Sequence, residues 1–226
     1  MKGISMGNFK VLNLNVDVNA ANDRIASTIR NEMKEQGTFL INIMASPGAG
    51  KTTTLLALID RLKDRYKIGV MEADIEAEVD AETMEKAGVS TIQVHTGGEC
   101  AMDADMTYAT LKSFDTKGLD LIFVENIGNL VCPAENDIGA DLNVAILSVP
   151  EGDDKPLKYP LMFTVTQACI INKIDTKSFF PFDDEALKER VHRLNPESEV
   201  FFISAKKGDG VDALADWISE RIEERK

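Results

Sequence analysis

The sequence predicts an α/β fold built on a mainly parallel β-sheet with helices on both faces, and three observations support it. Short apolar runs alternate with segments of helical period along nearly the whole chain. The first such unit, over residues 39–65, is an apolar run too short for a helix, then a glycine-bearing turn, then a segment with period near four. The length of 226 residues, with 44% hydrophobic and 28% charged side chains and no repeat or low-complexity tract, suits one well-packed α/β domain. Such alternation makes parallel strands covered on both faces.

Taken in order, Ile25, Ile29 and Met33 recur every fourth residue between Asn22 and Gln36, and Gly37 follows where a helix C-cap is expected. The reading is a single domain over 1–226 with an N-terminal helix at about 20–37. Phe39 to Met44 reads as a strand, Ala45 to Gly50 as a turn, and Lys51 to Arg65 as a helix through Leu55, Leu58, Ile59 and Leu62. Further strands are expected at Lys67–Met71, Ser90–Val94, Leu119–Val124, Asn143–Val149, Met162–Ile171 and Glu199–Ile203. Helices are expected near Ala77–Ala87, Met102–Ser113, Asp184–Leu194 and Val211–Glu224. Glu151 to Pro160, with a glycine and two prolines among its charges, reads as an exposed loop.

A formal net charge of -13 disfavours polyanionic partners, so neither nucleic acid nor a membrane surface is expected to bind. No basic leader and no apolar stretch approaching the roughly 18 residues needed to span a bilayer is visible, and a cytoplasmic location is expected. The cysteines Cys100, Cys132 and Cys169 are odd in number and scattered, which argues for reduced thiols rather than a disulfide framework.

The segment Ala45-Ser-Pro-Gly-Ala-Gly-Lys-Thr52 fits the phosphate-loop pattern, with Ala45 where its stricter form has glycine. Glycines let the backbone N–H groups of Gly48, Ala49 and Gly50 curl around phosphate oxygens, the following helix adds its positive end, and Lys51 reaches the terminal phosphates. Thr52 supplies a hydroxyl to Mg2+, and Thr53 continues the helix start.

Two later segments, Asn172-Lys-Ile-Asp175 and Ser204-Ala-Lys206, follow apolar runs whose ends a parallel sheet delivers to the same edge. A carboxylate such as Asp175 accepts both N–H groups of a guanine edge, whereas adenine offers an acceptor there and leaves the acid unpaired. GTP rather than ATP is therefore the expected nucleotide. These segments resemble the base-recognition motifs of the GTPase superfamily. The resemblance implies that Lys173 lays its stem along the base, Asn172 ties its loop to the phosphate loop, and a backbone N–H near Ala205 meets the guanine carbonyl. For Mg2+ the candidates are strand-end carboxylates: Asp74, with Glu72 as an alternative in the outer shell, and Glu125. Glu125 stands just before Gly128, whose N–H suits a γ-phosphate. No general base is evident, so catalysis is expected to rest on Lys51, Thr52, Glu125 and Gly128 with slow turnover.

Beyond these motifs stand Thr96-Gly-Gly-Glu-Cys-Ala-Met-Asp-Ala104, Glu125-Asn-Ile-Gly-Asn-Leu-Val-Cys-Pro-Ala134 and Glu151-Gly-Asp-Asp-Lys-Pro-Leu-Lys-Tyr-Pro160. Together with the phosphate loop they closely resemble the HypB family of hydrogenase-maturation GTPases, over about Asn13 to Trp217. The resemblance implies a SIMIBI-type P-loop domain and a nucleotide-dependent homodimer with an interfacial nickel or zinc site. Its implied partners are a hydrogenase precursor and a nickel metallochaperone. In that family a Cys-His pair and a second Cys before Pro hold the metal; here the positions are Cys100, Ala101 and Cys132, so the imidazole is missing. Two cysteines from each of two subunits still make a four-thiolate set. His95 is a weak substitute ligand, better read as structural; Cys169, inside an apolar run, is read as packing, and His192 is given no role.

The function expected is a GTP-hydrolysing metallochaperone that assists nickel insertion into a [NiFe]-hydrogenase. The alternatives are a GTPase serving another nickel enzyme, of the urease or CO dehydrogenase type, and a metal-independent scaffold under GTP control. Lys155 and Lys158 lie in a loop that the resemblance associates with the dimer partner.

Overall fold

The computed structural model describes residues 14–74 and 88–226, and side chains over 20–73 and 88–226. The helix expected at Ala77–Ala87 lies outside the described residues. Seven parallel strands form one sheet in the order β3-β2-β4-β1-β5-β6-β7. They are β1 (Phe39–Ala45), β2 (Ile68–Asp74), β3 (Ser90–His95), β4 (Leu121–Glu125), β5 (Leu142–Ser148), β6 (Ala168–Asn172) and β7 (Glu199–Phe202).

The central strand explains the layering. Successive side chains of a strand face opposite ways, so Phe39, Ile41, Ile43 and Ala45 join one core with α2 (Lys51–Leu62) and the C-terminal helix α8 (Val211–Arg225). Leu40 enters a second core with Ala26, Ile29 and Met33 of α1 (Leu14–Gln36) and Leu111 of α3 (Ala104–Ser113). Met44 enters a third, with the helices that precede and follow β6. The seven residues of β1 are all buried, which is why the run is apolar on both faces apart from Asn42.

The N-terminal helix ends where Gly37 takes a left-handed φ of 76°, with Thr38 N donating to Met33 O at 2.9 Å. That bond and the one from Gly37 N to Lys34 O at 3.1 Å satisfy carbonyls that a helix end otherwise orphans. On its inner face Gly139 approaches so closely that a Cβ there would stand 2.7 Å from Ile29 Cβ.

Two expectations need correction. Met162–Ile171 is not one strand: α6 (Pro160–Val165) precedes β6, burying Met162 and Phe163. Pro160 at its start pre-sets a helical φ, and Thr164 Oγ1 donates back to the Pro160 carbonyl at 3.0 Å. Residues 151–160 are likewise more ordered than an exposed loop, with a 3-10 turn at Val149–Glu151, a helical turn α5 (Lys155–Lys158) and Pro156 buried. The remaining helices are α4 (Cys132–Glu135) and α7 (Asp184–Leu194). Among the described residues no helix is long and apolar enough to cross a membrane.

Candidate functional site

Because every strand runs the same way, the C-terminal ends of β1, β2, β4, β5 and β6 meet at one edge of the sheet, where open α/β sheets place their ligands. A cavity of about 550 Å³ lies there, lined by Gly48, Gly50, Lys51, Thr52, Thr53, Glu72, Glu125, Gly128 and Lys173 among others. The sequence-identified phosphate-loop and switch residues therefore converge on one place with Lys173 of the base loop, whereas Asn172, Asp175, Ser204, Ala205 and Lys206 are not part of its lining.

The phosphate loop turns on Gly48 and Gly50, at φ 78° and 96°, and Gly50 caps α2. Ala49 is fully buried beneath it, and its N–H donates to Ser46 O at 3.3 Å. At the far wall Thr52 Oγ1 donates to Glu125 Oε1 at 3.0 Å. Glu125 and Glu72 are register partners on adjacent strands, and both are buried. A hydroxyl beside two strand-end carboxylates is a hard oxygen set of the kind that suits Mg2+. Of the two β2 acids considered, Glu72 lines the cavity, whereas the side chain of Asp74 lies outside the described residues. Gly128 is pressed against the loop, since a Cβ there would be 3.1 Å from Pro47 Cγ and 3.2 Å from Pro47 N.

Asn172 knits three segments together. Its Nδ2 donates to Ala49 O at 3.0 Å, and its Oδ1 accepts from Lys173 N at 2.8 Å and Ala205 N at 3.1 Å. Since Ala205 N–H is engaged in this way, a guanine carbonyl would have to take a neighbouring amide, such as that of Lys206. Lys173 adopts a left-handed φ of 61° and donates from Nζ to Gly48 O at 2.6 Å, crossing the loop entrance. Ser204 Oγ donates to Asp175 Oδ1 at 2.7 Å, which holds the Asp175 carboxyl below the usual carboxylate range. The hydroxyl thereby fixes one oxygen of the Asp175 carboxylate in place.

The cysteines behave otherwise than expected. Cys100 and Cys132 are joined in a disulfide, with Cα atoms 6.1 Å apart. The reason is topological: the loop after β3 and the start of α4 after β4 emerge at the same edge, which the separation of 32 residues conceals. Asn129 Nδ2 points to Cys132 Sγ at 3.2 Å. Cys169 is the free thiol, fully buried, and burial pushes it up to about 12. His95 is exposed at the end of β3, and His192 is exposed with Nε2 3.1 Å from Ser198 O. Ala101 is buried. Among the described residues no three His, Cys, Asp or Glu side chains of a single chain gather as a metal site.

Sequence reasoning missed Asn126. It is fully buried; its Nδ2 donates to Asn42 Oδ1 at 3.2 Å, and its Oδ1 accepts from Met102 N at 3.1 Å and Ile127 N at 2.9 Å. The switch segment is thereby bonded to the residues just after Cys100. An asparagine directly after a strand-end acid was the available signal.

The family model described as "CobW/HypB/UreG, nucleotide-binding domain" matches residues 39–202. A hydrogenase/urease maturation factor HypB of Helicobacter hepaticus is 40% identical over 204 residues, 88% of this chain and 84% of that protein. The chain belongs to the HypB family. The HypB protein of Escherichia coli K12 is 38% identical over 94% of this chain and 73% of its own length. A crystal structure of HypB from Helicobacter pylori in complex with nickel superposes with a TM-score of 0.84 at 38% identity, covering 90% of this chain and 96% of that one. HypB from Archaeoglobus fulgidus gives 0.83 at 34%, covering 90% and 99%. The receptor FtsY of Elizabethkingia anophelis, at 0.55 and 15% identity over 90% and 77%, shares the P-loop fold alone.

Proposed function

We propose that this chain is a GTPase that dimerises with nucleotide and hands nickel to a hydrogenase precursor, receiving it from a partner metallochaperone in the cytoplasm. The observation that carries the reading is the convergence of Lys51, Thr52, Glu72, Glu125 and Gly128 on one cavity whose loop is tied by Asn172 to Asp175's segment. The names of the relatives support the client, and the nickel complex of the Helicobacter pylori protein supports the cargo.

In this reading the amides of Gly48 to Thr52 and the ammonium of Lys51 hold the triphosphate, while Asp175 accepts from the guanine edge. Thr52, Glu125 and Glu72 would hold Mg2+, which when bound neutralises charge on the phosphates. Asp74 remains a proposed further ligand. Gly128 N–H meets the γ-phosphate, Thr53 lines the same cavity, and Ser204 acts through its bond to Asp175. With no general base proposed, positioning and charge stabilisation supply the rate.

Nickel or zinc would bind Cys100 and Cys132 of both subunits once the disulfide is reduced, because the thiolate is the ligand. The buried Asn126 links this site to the nucleotide: it follows Glu125, bonds Met102 N beyond Cys100, and precedes Cys132 by six residues. A shift of Gly128 on phosphate release would therefore move both cysteine segments. His95, exposed and near in sequence, is retained only as a weak additional ligand. A second client, urease, is favoured by one observation, the double naming of the Helicobacter relative.

The test is Ni2+ titration of the reduced protein with a non-hydrolysable GTP analogue and with GDP, alongside light scattering. Tighter nickel binding by a dimer in the GTP form is expected; equal affinity in both states would reject the coupling, and a nucleotide-blind monomer would reject the dimer.

A further inference from the structure

We propose that Glu151 is a positioning residue for the phosphate loop, holding its leading turn against the end of β5 so that the amides are arranged before nucleotide arrives. The inference rests on the nucleotide reading above.

The loop is fastened from the β6 side twice, by Asn172 on Ala49 O and by Lys173 on Gly48 O. Its first residue is fastened from a different strand. Glu151 Oε1 accepts from Ser46 Oγ in a short contact, while Oε2 accepts from Ser148 N at 2.8 Å and from Ser148 Oγ at 2.7 Å. One carboxylate thus gathers three donors, and its rotamer is set by all of them.

The anchor is stiff. Ser148 ends β5 in register with Asn172 on β6, and it caps the 3-10 turn that Glu151 closes. Two residues on, Asp153 accepts from Asp183 N at 2.8 Å and from Arg190 Nη1 at 2.5 Å, fixing the turn to α7 as well. Across the loop, Gly128 abuts Pro47. Ser46 and Pro47 are therefore gripped from both sides, by Glu151 and by the switch glycine.

Glu151 is not among the residues that line the cavity, so its effect on nucleotide runs through Ser46. A carboxylate near a polyphosphate site works against anion binding through charge alone, which makes a geometric role the better account of it. Converging N–H dipoles repel one another when no anion is present. Tethers that hold them converged reduce the ordering cost of binding.

The experiment measures GDP affinity by calorimetry for wild type, E151A, E151Q and E151D, with amide hydrogen exchange over residues 46–54 in the absence of nucleotide. E151A should raise the GDP Kd on the order of tenfold, the worth of one charge-assisted hydrogen bond, and should speed exchange at Ala49. E151Q keeps an acceptor for Ser148 and offers an NH2 to the Ser46 oxygen, so it should recover most of the affinity. E151D is one methylene too short to span both serines and should bind as weakly as E151A. GDP binding by E151A within twofold of wild type overturns the proposal, as does E151D outperforming E151Q, the order expected if only the charge or the stability mattered. If E151A fails to fold, the order of E151Q and E151D decides. If wild type binds no guanine nucleotide, the parent reading falls, and exchange at Ala49 still decides this one: faster exchange in E151A or E151D with E151Q near wild type upholds it, and unchanged exchange in E151A and E151D rejects it.

Discussion

Asn172 donates from Nδ2 to the carbonyl oxygen of Ala49 at 3.0 Å, joining base loop to phosphate loop across 123 positions of chain. Gly50 makes room for that bond: a Cβ at 50 would stand 2.5 Å from the same nitrogen, on a φ of 96°. The glycine therefore serves the asparagine as well as the phosphates.

Asn172→Ala removes this bond together with those to Lys173 N and Ala205 N. Leaving buried backbone groups without partners costs about 1–3 kcal/mol, so a lower Tm and weaker binding of GTP and GDP alike are expected. Preference for guanine should survive, because Asp175 is untouched. Calorimetry with both nucleotides and a thermal melt check it; loss of the base preference alone would show that Asn172 reads the base directly.

Glu125 accepts from Thr52 and stands beside Glu72 in the register of β4 and β2. For Glu125→Gln the Mg2+ concentration needed for half-maximal GTP turnover should rise on the order of 10- to 100-fold, the usual cost of weakening a metal's ligand environment. Magnesium-free GDP binding should change little. An unaltered Mg2+ midpoint would move the ligand elsewhere, with Asp74 the next residue to replace.

Cys100 is exposed and Cys132 half-buried, whereas Cys169 has no exposure and a thiol pushed up to about 12. Native protein prepared without reductant should take up no maleimide at pH 8. After reduction it should take up two per chain, and only then bind Ni2+ or Zn2+. Mass spectrometry of labelled peptides reads this; prompt labelling of Cys169, or metal binding by the oxidised form, would contradict it.

Much of the fold was legible because β1, β4 and β5 are almost wholly buried on both faces and so read as mostly apolar runs, interrupted only by Asn42, Asn143 and the polar strand ends, between helical periods. The nucleotide loops were legible because glycine, lysine and aspartate do chemistry there that few residues can replace. Other features were hidden for physical reasons. Met162 and Phe163 are as apolar as a strand, and a six-residue run has no period to separate helix from strand. Glu72 and Asp74 are two positions apart, the period of a strand face, so sequence alone cannot choose between them. The pairing of Cys100 with Cys132 depends on two loops meeting at one sheet edge, which parity of cysteine count does not encode. Glu151 looked like one more acid in an acidic loop; only its three donors distinguish it.

The central claim is that a triphosphate held at Lys51 is read as guanine by Asp175, whose carboxylate Ser204 holds in place by a hydrogen bond. Side-by-side calorimetry of GTP and ATP with Mg2+ present tests it most directly. The expected result is GTP binding stronger than ATP binding by at least 100-fold, the discrimination typical when a site's buried polar group is left unpaired by the wrong ligand. Equal affinity for the two nucleotides, or no affinity for either, would contradict it.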